Sequence, residues 1–142
     1  MPSAPSVSEL SDRVRGWLRR EPKPVVPRTI FVVDGDSANR QSTARLVESL
    51  GYEPVQCKGI GDAMKQLDDH EPSFVLLGFE LDDGSGLEAL GKLREEDPDL
   101  SVIMLASNLW DSRTADAMRK GAVAYLARPF GTDELREVLG RH

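Results

Sequence analysis

Residues that most directly announce chemistry are scarce in this sequence. It contains one cysteine, Cys57, and two histidines, His70 and His142. A single cysteine excludes an internal disulfide and a cysteine-built zinc cluster, and it fits a reducing, cytoplasmic setting. Neither histidine has a partner at ligand spacing, so both are expected at the surface. Positive charge is also short. The net charge is −6, which argues against nonspecific binding to DNA or to an anionic membrane. No apolar run approaches the length of a membrane span. The first residues lack the apolar centre of a signal peptide, because Ser, Pro, Asp and Arg interrupt it.

What remains is a chain of 142 residues with 39% hydrophobic and 30% charged side chains. That is enough for one soluble domain with a real core and an appendage. The appendage is residues 1–28. Within it, VSELSDRVRGWLRR carries Val7, Leu10, Val14, Trp17 and Leu18 on one helical stripe, with its arginines mostly off it. EPKPVVPR follows, and its prolines make a stiff linker. From residue 29 to 142, short apolar runs alternate with amphipathic stretches. TIFVV, YEPVQC, SFVLLG, SVIMLAS and VAYLA read as strands. SANRQSTARLVESL, GDAMKQLDDH, GLEALGKLREE, DSRTADAMRKG and TDELREVL read as helices. Nearly continuous apolar strands between amphipathic helices indicate a parallel sheet covered on both faces.

The order and spacing of IFVVDGD, LGYEPV, PSFVLLG, DGSGLEAL, SVIMLAS, AMRKGAVAYLARPF and DELREVL resemble the receiver domain of bacterial two-component response regulators, over roughly residues 29–140. The resemblance implies an α/β, flavodoxin-like, doubly wound sheet of five parallel strands in the order 2-1-3-4-5, flanked by five helices. It also implies a site at the carboxyl ends of the strands. There an aspartate ending the third strand accepts a phosphoryl group, and an acidic pair after the first strand holds Mg²⁺. A hydroxyl after the fourth strand and a lysine after the fifth bind phosphoryl oxygens, and an aromatic residue on the fifth strand changes rotamer.

Matched position by position, the nucleophile falls on Gly78, which has no carboxylate. The acidic pair falls on Asp34 and Gly35, so its second member is missing. The hydroxyl position is Ala106, with Ser107 one step on and expected on the opposite face of the strand. The lysine position is Arg128, and Tyr125 holds the aromatic position. The scaffold marks are kept while four of the five roles are altered, the pattern of a degenerate pseudo-receiver.

Several side chains have two readings. Asp34, Asp36 and Glu80 are weak candidates for a divalent-ion site; the alternative is solvated loop carboxylates, with Asp34 paired to Arg128. Arg128 either locks the pocket through Asp34 or lies exposed, and the resemblance implies a cis peptide bond before Pro129. Asp82 and Asp83 are substitute phosphoacceptors on one reading and turn residues before a helix on the other. Leu109 and Trp110 form a partner surface with Tyr125, on the face made by the fourth helix, fifth strand and fifth helix, or else Trp110 folds over the vacant pocket as a lid. Trp17 belongs to the amphipathic stripe, which packs on its own domain or in a dimer.

These readings converge on a cytoplasmic, phosphorylation-independent signalling domain that acts by protein–protein contact. It has no catalysed reaction, cofactor, direct nucleic-acid contact or membrane span, and no recognisable output domain. The rival expectations are a receiver phosphorylated on Asp34, Asp36, Asp82 or Asp83, and a small-ligand sensor using the space at Gly78.

Overall fold

The computed structural model describes residues 28–142. The expected extension, with Trp17 and its stripe, therefore lies outside the described residues. The elements in chain order are β1 (Thr29–Val33), α1 (Ser37–Ser49), β2 (Glu53–Cys57), α2 (Ile60–Gln66), β3 (Phe74–Gly78), β4 (Glu80–Leu81), β5 (Gly84–Ser85), α3 (Gly86–Glu96), β6 (Val102–Ala106), α4 (Arg113–Arg119), β7 (Ala124–Ala127) and α5 (Thr132–Arg141). The main sheet has five parallel strands in the order β2-β1-β3-β6-β7. With the two-residue strands β4 and β5 set aside, this is the anticipated 2-1-3-4-5 order, and the fold is flavodoxin-like.

The alternation of side chains along each strand divides the core between two layers. Phe31, Val33, Val75, Leu77, Val102 and Met104 pack with Ile60, Ala63, Leu90, Leu93 and Ala117, contributed by or next to α2, α3 and α4. Ile30, Val32, Leu76, Ile103 and Leu105 pack with Val47, Leu135 and Leu139 of α1 and α5. Every residue of β3 and β6 is buried, which is why those strands read as continuous apolar runs. β2 and β7 are edge strands and are only partly buried.

Helix boundaries follow from local chemistry. The Asp36 carboxylate accepts from the Asn39 N–H at 2.8 Å and caps α1. That helix stops at Gly51, whose φ of +90° is a left-handed conformation disfavoured for other residues. Ser85 Oγ accepts from the Glu88 N–H at 3.1 Å to start α3, and the Asp97-Pro98 step ends it. Both α2 and α4 are seven residues long, shorter than the stretches that suggested them. An element without a period in the sequence is the antiparallel β4–β5 ribbon, which pairs Glu80 with Ser85 and Leu81 with Gly84. Strands of two residues are too short to carry an alternation signal.

Candidate functional site

β1, β3, β6 and β7 deliver their last residues to one end of the sheet, where open α/β folds place their sites. A polar cavity of about 100 Å³ lies there, bordered by Asp34, Gly78, Glu80, Ser107, Arg113 and Arg128 among others. Asp34 is the buried acid of this group. Its N–H donates to the Cys57 carbonyl at 3.0 Å. Its carbonyl accepts from Arg40 Nη1 at 2.9 Å, and its Oδ1 accepts from the Asp36 N–H at 2.9 Å. Its Oδ2 forms an ion pair with Arg128 Nη2. Of the two readings of Arg128, the paired one therefore holds. The side chain is only 20% exposed, and its guanidinium lies 5.8 Å from the centre of the Phe130 ring. The Arg128–Pro129 peptide bond is cis.

Gly78 faces this pair. A Cβ built on Gly78 would lie 3.2–3.4 Å from the Asp34 carboxyl atoms, so the Asp34 carboxylate packs against the bare strand end. Gly35 has a different constraint. Its N–H donates to the Glu80 carbonyl at 2.9 Å, and a Cβ on it would come within 2.8 Å of that oxygen. The β4 ribbon therefore lies over the position where a second acid would project. Asp36 is used as the α1 cap, and Glu80 reaches Arg113 at 3.8 Å. Among the described residues no three His, Cys, Asp or Glu side chains are grouped to hold a metal ion. Asp34, Asp36 and Glu80 do not form such a set.

The loop from β6 to α4 is built around Asp111. Its carboxylate accepts from the Ser107 N–H at 3.3 Å and the Arg113 N–H at 3.1 Å. It also takes both arms of the Arg113 guanidinium, each at 2.9 Å. That guanidinium holds the Asp111 carboxyl down to about 2, with the loop N–H groups adding to the effect. Arg113 in turn lies 4.5 Å from the centre of the Phe79 ring. One arginine thus joins the β6–α4 loop to the β3–β4 corner. β6 ends at Ala106, so Ser107 is beyond the strand and borders the cavity; the strand alternation expected to turn it away does not extend to it.

Three further expectations need correction or sharpening. Trp110 is not a lid: it is 86% exposed and does not border the cavity. Its N–H donates to Asn108 Oδ1 at 2.8 Å in a turn that directs the ring outward. His70 is half-buried rather than a surface group, lying edge-on to Phe31 at 6.0 Å. Asp83 is more than a turn residue. Its two carboxylate oxygens accept from the Ile60 and Gly61 N–H groups at 2.7 and 2.9 Å. The Gly61 and Ile60 bonds hold its carboxyl below the ordinary range. Asp82 is exposed on the same ribbon, and His142 is exposed at the end of α5. Leu109 and Tyr125, both exposed, line a groove of about 460 Å³ with Phe130. Arg40 and Arg113 were missed by sequence reasoning. Arg40 was detectable as a base on the inward stripe of α1, with Thr43, Ala44 and Val47; Arg113 had no sequence signal.

The response regulator receiver domain model matches residues 30–140. The chain is 30% identical over 111 residues to the chemotaxis protein CheY of Listeria monocytogenes, covering 78% of this chain and 93% of that one. It is 29% identical over 110 residues to the phosphate regulon transcriptional regulatory protein PhoB of Escherichia coli, covering 76% of this chain. The match spans 48% of PhoB, about half its length. Among solved structures, the receiver domain of NtrX from Brucella abortus superposes with a TM-score of 0.74 at 27% identity, covering 79% of this chain and 95% of that one. With its sheet order, its site at the strand ends and a family match over most of its length, the chain belongs to the response regulator receiver domains of two-component signalling.

Proposed function

We propose that this receiver is a pseudo-receiver, signalling without phosphorylation through protein–protein contact in a bacterial cytoplasmic pathway, with no reaction of its own and no cofactor. The observation that carries the reading is the Arg128–Asp34 ion pair set against Gly78. Phosphoryl transfer to a carboxylate needs the acceptor oxygen in line with the donor and a cation to offset charge. Gly78 offers no carboxylate oxygen, and the one buried acid nearby already has a cation. Mg²⁺ favours octahedral oxygen sites with carboxylate ligands. Here it would have to displace an arginine to gain a single carboxylate. The loop acids are poor substitutes, because Asp83 is occupied at the start of α2 and Asp36 at the start of α1.

Arginine stays charged throughout the accessible pH range and forms directional pairs with carboxylates. The Arg128–Asp34 contact therefore acts as a permanent internal neutralisation of the site. Output then depends on what docks. The exposed Leu109, Trp110 and Tyr125 on the α4–β7–α5 face supply large apolar groups suited to a protein partner or a second copy. The small-ligand reading is weakened, since Arg128 borders the cavity and is already paired within it.

The reading is tested by titrating Mg²⁺ into isotope-labelled protein and following the amide signals of Asp34, Gly35 and Glu80. Small, non-saturating changes are expected. A saturating shift at these three amides would reject the reading.

A further inference from the structure

At the opposite end of the sheet lies a groove of about 250 Å³, between the end of α2 and the end of α3. Its apolar side is formed by Leu67, Pro72 and the half-buried ring of His70, and its acidic side by Glu71, Glu96 and Asp97. None of the ion pairs formed among the described residues involves these three acids. The groove therefore has one apolar side and, among the described residues, a rim of unpaired negative charge.

The chain itself contains a segment of complementary composition. Residues 1–27 carry a net charge of +2 against −8 for residues 28–142, together making the −6 of the whole chain. Four of the five basic residues in 1–27 lie in RVRGWLRR, residues 13–20, interleaved with Val14, Trp17 and Leu18. Tryptophan and arginine are the residues that most often anchor interfaces. The point of entry is also right. The Ser73 N–H donates to the Thr29 carbonyl at 2.8 Å. Pro72, at the groove, is thus next to the strand into which residues 1–27 lead. The seven residues 21–27 include three prolines and at ~3.1 Å per residue reach about 20 Å. The sheet places β1 beside β3, and neighbouring strands are ~4.8 Å apart. The apolar groove at Leu109 and Tyr125 is a poorer seat: it flanks β7, three strands from β1, and contains Arg128.

We infer that residues 13–20 dock in cis into the groove formed by Leu67, His70, Pro72, Glu71, Glu96 and Asp97, with Trp17 on the apolar side and the arginines on the carboxylates. Tethering makes the encounter intramolecular, so modest contacts suffice to populate it. This inference is independent of the pseudo-receiver reading, because it involves no residue at the carboxyl end of the sheet.

The test uses the full chain carrying Trp110→Phe, which leaves Trp17 as the only tryptophan. The expected result is blue-shifted Trp17 emission protected from a soluble quencher, with a monomer by light scattering. Glu71→Lys/Glu96→Lys should return the emission to that of a solvent-exposed indole. So should about 1 M salt, where the screening length falls to ~3 Å. Arg15→Glu/Arg19→Glu, which alters no residue of the groove, should do the same. Combining the two pairs restores opposite charges and should recover the blue shift. Solvent-exposed emission in the Trp110→Phe chain would overturn the inference. A blue shift indifferent to the charge reversals would overturn it too. A blue shift that grows with protein concentration as dimers form would place the segment on a second copy and reject docking in cis.

Discussion

At the carboxyl end of the sheet, buried and loop carboxylates meet arginines of the same domain: Asp34 meets Arg128, and Asp111 meets Arg113. At the amino end, Glu71, Glu96 and Asp97 border an open groove and pair with no described base. The first end is a small cavity of about 100 Å³ and the second a groove of about 250 Å³. One scaffold thus has one end internally neutralised and the other left negative. The difference shows why fold and function must be argued separately. The core specifies strand order, while a few end residues decide what each end can bind.

The core is common to both ends, so damage to it should erase the comparison. Leu76→Ala removes a fully buried side chain and is expected to cost about 3–5 kcal/mol in urea unfolding, with the accompanying cavity. Next comes the carboxyl end alone. Arg128→Ala leaves Asp34 buried without its cation and should cost about 1–3 kcal/mol, less than a fully buried pair because the arginine is partly exposed. Arg128→Lys should recover part of that loss. The matching change at the amino end, Glu71→Lys, should stay within about 0.5 kcal/mol, as surface substitutions do. Equal losses at the two ends would break the comparison.

A smaller effect separates the ends by pH. The Asp111 carboxyl is held down to about 2 from its ordinary 3.8. Its depressed value means that its contribution is complete above pH 4 and is lost as pH falls through 2. With Arg113 over a third exposed, that contribution is under about 1 kcal/mol. Arg113→Ala should flatten the acid limb of the stability curve in that window, and an unchanged limb would reject the assignment. The smallest expected signal is chemical. Burial, with the nearby Asp62, pushes the Cys57 thiol up to about 12. Alkylation of the folded protein at neutral pH should therefore be negligible and appear only on denaturation.

Much of this was legible in the sequence, for identifiable reasons. β1, β3 and β6 are long apolar runs because they are buried on both faces, and their bounds agreed with expectation to within a residue. Gly78 and Gly35 could be matched to site positions because the motifs around them keep their spacing. The pairing of Arg128 with Asp34 was one of two open readings, since residues 94 apart in sequence carry no pairing signal of their own. The β4–β5 ribbon and the capping of α2 by Asp83 were not legible. Two-residue strands have no period, and an acceptor 22 and 23 residues from its donors cannot be found by local rules. Trp110 was misjudged as a possible lid because an apolar side chain after a strand suggests burial. Asp111 instead organises the turn that presents it to solvent.

The central claim is that no carboxylate at this site accepts a phosphoryl group. Incubation of the full chain with acetyl phosphate and Mg²⁺, followed by intact-mass measurement, addresses it most directly. The account requires an unchanged mass. The gain of one phosphoryl group, mapped to Asp34, Asp36, Asp82 or Asp83, would contradict it.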